Sequence, residues 1–209
     1  MNILLTDGLP EEYDGIPLSA DFRNMIQVDL ILHEEDTGEV EKTIAALYQL
    51  YPQIPADVHK AVEGLAWFYS RGNTTAEGKD TPAKKAAKKA FSFEQDANLI
   101  YAAFYATYNM SLTTIGFLHW WEFMALFEGL PETALIQRVM YWRTVDLGGL
   151  PKHERKHITK MRQLFALKGP EKQAMTVEEM NQQTKDRVAQ RFTAAQSAAG
   201  KGADHENNH

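Results

Sequence analysis

The sequence predicts a mainly α fold, on three observations. Apolar residues recur at three- and four-residue spacing in one segment after another, turn-forming Gly, Pro, Asp and Asn fall between those segments, and no stretch between residues 19 and 167 alternates apolar with polar as a half-buried strand does. The expected architecture is a compact domain of about seven helices, with an arm or hairpin over residues 1–18 before it and a loosely helical or disordered tail over residues 169–209 after it.

In the arm, the short apolar runs Ile3 to Leu5 and Ile16 to Leu18 are separated by Pro10, Asp14 and Gly15, a pattern that suits a small hairpin. Residues 19–70 read as three helices. The first is capped by Ser19 or Asp21, buries Phe22, Met25, Ile26 and Leu30, and ends near Gly38. The second, Glu39 to Tyr51, places Ile44, Leu47, Tyr48 and Tyr51 on one buried face and is stopped by Pro52. The third, Ala56 to Ser70, repeats Val58, Val62, Leu65, Ala66 and Tyr69, and Arg71-Gly72 closes it. Residues 71–91 break the periodicity. Turn-rich Gly72 to Pro82 leads into alternating alanine and lysine pairs, which reads as an exposed linker. Lys84, Lys85, Lys88 and Lys89 have no interleaved aromatic or arginine to read a base, so no nucleic-acid partner is expected.

Residues 92–168 form an aromatic-rich helical segment. Residues 101–142 alone hold 11 of the 22 aromatic side chains. At roughly 1.5–3 kcal/mol for each large apolar side chain fully buried, this stretch dominates the core. Ser92 and Gln95 make a capping-box signal for a fourth helix, Phe93 to Tyr108, with the ridge Tyr101, Phe104, Tyr105 and Tyr108. The fifth helix, Thr113 to Glu128, is apolar over most of its circumference apart from His119 and Glu122, so it belongs at the centre. The sixth runs from Glu132 to Thr144. After Gly148-Gly149-Leu150-Pro151, a basic seventh helix from Lys152 to Leu167 presents Ile158, Met161, Leu164 and Phe165. From Gly169 onward there is no Leu, Ile, Trp or Tyr, so the tail builds no core of its own, although Thr176 to Glu179 is a capping box.

Composition narrows the function classes. Cysteine is absent, which removes disulfides, thiolate zinc sites and cysteine nucleophiles. No apolar run approaches the roughly 18–20 residues that cross a bilayer, and the N-terminus lacks the basic region and apolar length of a secretory signal. Cytosolic synthesis and no membrane partner are expected. Charge is unevenly spread: residues 1–51 carry 11 acidic and 2 basic side chains, whereas residues 152–172 carry 7 basic and 2 acidic. Such asymmetry suits contact with charged partners or between copies of the chain, and two solvated faces of opposite sign are the plainer account. Lys152, Arg155, Lys156 and Lys160 are the candidate partner-binding residues.

Three motifs hint at chemistry. His153-Glu154-Arg155-Lys156-His157 is a literal H-E-x-x-H, whose two histidines would share a helix face and bind zinc, with Glu178 or Glu179 nominated as third ligand. The surrounding Lys152, Arg155, Lys156 and Lys160 repel a dication, so a zinc hydrolase is the lesser reading and a solvated basic face the better one. Gly72 to Lys79 misses the phosphate-loop spacing by one residue and is followed by Asp80, which repels phosphate. His119 and Glu122, at i and i+3, could form an acid–base pair, but a histidine beside tryptophans is more often a hydrogen-bonded core residue. With no nucleophile elbow, dinucleotide fingerprint or calcium loop, a protein without catalytic activity or cofactor is expected.

Ser92-Phe93-Glu94-Gln95-Asp96 leading to Ile100-Tyr101-Ala102-Ala103-Phe104, then Tyr108, then Leu118-His119-Trp120-Trp121-Glu122-Phe123 with Leu126, Gly129 and Leu130, and finally Met140-Tyr141-Trp142-Arg143, resembles the "gene product fifteen" family of tailed phages and prophages of Gram-positive bacteria. Leu4 to Pro10, Gly15, Asp21-Phe22-Arg23 and Trp67-Phe68-Tyr69 are similar to that family's earlier part, so the likeness spans roughly residues 1–167. Tyr101, Phe104, Leu118, His119, Trp120, Trp121 and Phe123 carry it most specifically, and they read as core. Genes of this family lie between those for the major tail protein and the tape-measure protein. The resemblance therefore implies a tail assembly chaperone in the host bacterial cytoplasm, one that keeps the helical tape-measure protein soluble and recruits tail-tube subunits. A structural component retained in the virion tail is the alternative. The resemblance implies no catalytic residues, and head-to-tail association into a homo-oligomer is compatible with the charge pattern.

Overall fold

Asp14 and Gly15 both adopt positive φ, 51° and 76°. A two-residue type I′ turn needs that at both central positions, and Asp-Gly supplies it cheaply. The turn folds β1 (Glu12–Tyr13) back on β2 (Ile16–Pro17) as an antiparallel hairpin. The computed structural model describes residues 8–34, 36–73 and 88–168. The run Ile3 to Leu5, most of the linker with Lys84 and Lys85, and the tail with its capping box lie outside the described residues.

Seven helices follow among the described residues: α1 (Phe22–Leu32), α2 (Glu39–Leu50), α3 (Val58–Tyr69), α4 (Ala97–Tyr108), α5 (Trp120–Glu128), α6 (Leu135–Thr144) and α7 (Lys152–Leu164). The mainly α expectation holds. Helices from both sides of the linker share one core, to which α1 gives Phe22, Met25 and Val28, α3 gives Phe68, α4 gives Phe104 and α5 gives Phe123 and Phe127. Phe123 is its hub: its ring stacks on Phe22 at 4.8 Å and on Phe104 at 5.1 Å between centroids. A smaller cluster, Val139 and Trp142 of α6 with Ile158 of α7, holds the basic helix to the side of this core.

Several elements depart from the bounds their periodicity suggests, three of them for a polar reason. Ser92 Oγ does accept the Gln95 N–H (3.3 Å), but the Ser92 N–H donates to Asp96 Oδ2 (2.9 Å), and residues 93–96 form a turn before α4 begins at Ala97. Residues 113–118 are not helical. The Arg23 guanidinium binds the carbonyls of Leu112 (3.1 Å) and Ile115 (2.6 Å), which draws that segment towards α1 as a loop. The third helix begins at Val58, where Asp57 Oδ1 accepts the Lys60 N–H (3.1 Å) as an N-cap. The sixth begins at Leu135, and the seventh ends at Leu164, with that leucine exposed.

The larger correction concerns α2 and α3. Of the positions expected inside, Leu47, Tyr51 and Leu65 are buried and Tyr69 is half-buried, but Ile44, Tyr48, Val58, Val62 and Ala66 point outward. In addition α2 buries Ala46 and Leu50, and α3 buries Ala61, Gly64 and Phe68. Small residues decide it: Gly64 leaves room for the Tyr13 ring and the Tyr51 hydroxyl, which donates to the Ala61 carbonyl (3.0 Å). Burial, reinforced by Tyr13, pushes the Tyr51 hydroxyl pKa up to about 12.

Candidate functional site

Two of the stretches that carry the sequence resemblance, Asp21-Phe22-Arg23 and Leu118-His119-Trp120-Trp121, converge on one joint, where the N-termini of α1 and α5 meet. Asp21 caps α1, its Oδ1 accepting the Arg23 N–H (2.9 Å), and His119 caps α5, its Nδ1 accepting the Trp121 N–H (3.0 Å). The two cap residues are also each other's β-bridge partners. Phe22 N–H donates to the Leu118 carbonyl and Trp120 N–H to the Ala20 carbonyl, both at 2.9 Å. Each helix start thus satisfies orphan donors of the other, which an isolated helix would leave to water. Asp21-Phe22-Arg23 and Leu118-His119-Trp120-Trp121 belong together because they form this single structure.

His119 is therefore a cap and not an interior helical residue paired with Glu122. It is buried, and its Nε2 lies 3.0 Å from the Pro10 carbonyl. With Nδ1 accepting, Nε2 must carry the proton and donate it, so the ring is neutral. Burial lowers its pKa, against the opposing effects of the Pro10 carbonyl, Glu11 and Glu122. Both nitrogens are engaged with backbone, and Glu122 is exposed in the first turn of α5, where a carboxylate favours the helix dipole. Behind the joint, the indole N–H of Trp121 donates to the Phe68 carbonyl (2.9 Å) and that of Trp120 to the Tyr69 carbonyl (3.4 Å), so Trp67-Phe68-Tyr69 ends α3 against the same tryptophans. Tyr69 Oη in turn donates to the buried Asp29 (2.5 Å), and burial followed by that carboxylate raises its pKa. Phe104, Leu118 and Phe123 are buried, while Tyr101 is half-buried and stacked on Tyr105.

A second polar centre escaped the sequence reading. Arg143 and Asp96 form a buried, two-pronged ion pair at 2.6 and 2.9 Å. Arg143 also donates to the carbonyls of Phe165 (2.7 Å) and Ala90 (3.1 Å), joining α4, α6 and the end of α7. Arg162 likewise reaches back to the carbonyls of Trp142 (2.7 Å) and Val145 (2.6 Å). Asp96 and Arg143 each end a stretch that carries the resemblance, Ser92 to Asp96 and Met140 to Arg143. Nothing in their spacing paired them.

The basic face lies on α7. Lys152, Arg155, Lys156 and Lys160 are all exposed and, with Thr159 and Gln163, line one shallow depression, Arg155 being held to the Leu150 carbonyl (2.9 Å). Lys88 and Lys89 are exposed too. His153 and His157 share this helix, but His153 sits beside Glu154 (3.8 Å) and His157 sets its edge on the Trp142 ring. No group of three or more His, Cys, Asp or Glu side chains among the described residues is arranged to hold a metal, and Glu178 and Glu179 lie outside them. Among the described residues no helix is long and apolar enough to cross a membrane.

No curated protein and no solved structure matches the chain. The family model described as "Bacteriophage Gp15 protein" matches residues 5–167, a span that takes in the hairpin, all seven helices, the cap joint and the Asp96–Arg143 pair. The chain belongs to the bacteriophage Gp15 protein family.

Proposed function

We propose that this phage protein is a tail assembly chaperone. It works by binding and not by catalysis, in the cytoplasm of the infected host: it holds the tape-measure protein and helps recruit tail-tube subunits, and it is released before the particle is complete. The observation that carries this reading is the family match across residues 5–167. The surface is consistent with it. The exposed lysines of α7 offer a basic stripe to an acidic helical partner, while nine of the described acidic side chains fall within residues 11–41. The imidazole of His119, the one buried histidine among the described residues, has both nitrogens committed to backbone, which speaks for scaffold over acid–base chemistry.

Co-expression with the cognate tape-measure protein tests the reading. The expected result is a soluble complex that co-purifies at low salt. It should weaken on charge reversal at Lys156 and Lys160, with the fold unchanged by circular dichroism. An insoluble tape measure in the presence of this protein would refute it. Mass spectrometry of purified particles separates the chaperone from a component retained in the virion tail: the chaperone is absent from them.

A further inference from the structure

α2 and α3 each carry two apolar faces, and only one of each is used. The inner faces enter the core. The outer face of α2 presents Val40, Ile44 and Tyr48 at i, i+4 and i+8, and that of α3 presents Val58 and Val62 with the same spacing, at exposures between 38% and 73%. These five are half of the ten large exposed hydrophobic residues among those described. An apolar stripe on each of two consecutive helices marks an interaction surface, because a surface helix ordinarily presents polar residues there.

The charge around the stripes says what fits them. Glu39, Glu41, Asp57 and Glu63 are exposed along α2 and α3. The lysines nearby are taken up: Lys42 is buried with Nζ on Glu39 (3.0 Å), and Lys60 is paired with Asp14. A second copy's α7 would supply positive charge but no apolar row, since the residues it exposes to solvent are polar apart from Leu164. We infer that the outward faces of α2 and α3 dock an amphipathic helix of another protein, one that combines an apolar stripe with lysine or arginine on its flanks. This deepens the chaperone reading and rests on it for the partner's biological identity, while the site itself is argued from the exposed stripes and their acidic rim.

The probe is a fluorescein-labelled synthetic helix with leucines on one stripe and lysines on its flanks, compared by fluorescence anisotropy with a glutamate-flanked and a scrambled counterpart. The lysine-flanked helix should bind the full chain at least about tenfold more tightly than either control. The triple variant Ile44→Ser, Tyr48→Ser, Val62→Ser should lose at least about tenfold in affinity with an unchanged thermal midpoint, as expected when anchors on an exposed face are truncated. Equal binding of the lysine and glutamate helices, or an unaffected triple variant, overturns the inference. So does a wild-type dimer that the triple variant converts to monomer in light scattering, because the occupant would then be a second copy. Capture of the cognate tape measure, run in parallel, keeps the two claims apart. Equal capture by wild type and triple variant refutes this docking face and leaves the chaperone reading standing, whereas peptide binding without any tape-measure capture does the reverse.

Discussion

Removing the guanidinium of Arg143 should be among the most damaging single changes to this fold. Arg143→Met keeps a long apolar stem but deletes four hydrogen bonds, two to Asp96 and one each to the Phe165 and Ala90 carbonyls. The Asp96 carboxylate stays buried, with the Ser92 N–H still donating to it. Breaking a buried pair from one side costs about 3–5 kcal/mol, because the remaining charge loses its compensation. Against a total of roughly 5–15 kcal/mol for a domain, that is a large fraction, and it corresponds to a fall in Tm on the order of 6–20 °C. Trp142, Trp120 and Trp121 are all buried, so tryptophan fluorescence in a urea titration reports the transition. The double variant Asp96→Leu, Arg143→Met should recover most of the loss, since an apolar pair of similar volume needs no charge compensation. A single-variant cost under about 1 kcal/mol, or a double variant no better than Arg143→Met, would refute the assignment of this pair as a buried tie between α4, α6 and α7.

Three further outcomes follow from the same contacts. Because burial lowers the pKa of His119 below the ordinary 6.5, its contribution to stability is complete above that value and is lost as pH falls through 6.5 towards the lower folded pKa. Urea midpoints should therefore drop between pH 7.5 and 5.5, and His119→Asn should flatten that drop while lowering stability at both pH values. Gly64→Ala would place a methyl group against the Tyr51 hydroxyl and 2.7 Å from Tyr13 Cδ1, and this overpacking should cost about 1–3 kcal/mol by thermal melting. Trp121→Ala removes a buried ring and its indole hydrogen bond to the Phe68 carbonyl, so a loss of about 3–5 kcal/mol is expected by urea titration, and a variant of wild-type stability would contradict the placement of Trp121 in the core.

Much of this architecture is legible residue by residue. Asp14-Gly15 announces its hairpin because few other pairs tolerate two positive φ angles. The apolar run from Trp120 to Phe127 announces a central helix because nearly every side chain on it prefers burial. The capping signals at Asp21 and Ser92 were readable, although Ser92 serves a turn before α4 and not the helix start itself. Of the candidate site, six of the seven family-diagnostic residues were legible as core and Tyr101 is only half-buried, but the purpose that Leu118, His119, Trp120 and Trp121 share at the α1–α5 joint was not legible. A bridge between positions 21 and 119 has no local signature.

The sequence by itself determined the local features: the number of helices, the hairpin, the aromatic core segment and the family, since periodicity, turn chemistry and composition act over a few residues. Only the tertiary structure decided which of two apolar faces α2 and α3 turn inward, that His119 caps a helix, and that Asp96 meets Arg143. Those outcomes depend on what packs opposite, and there small residues at Ala46, Ala61 and Gly64 admit a closer approach than the larger side chains at Ile44, Tyr48 and Val58. The apolar residues left outside by that choice form the surface with the most to gain from a partner.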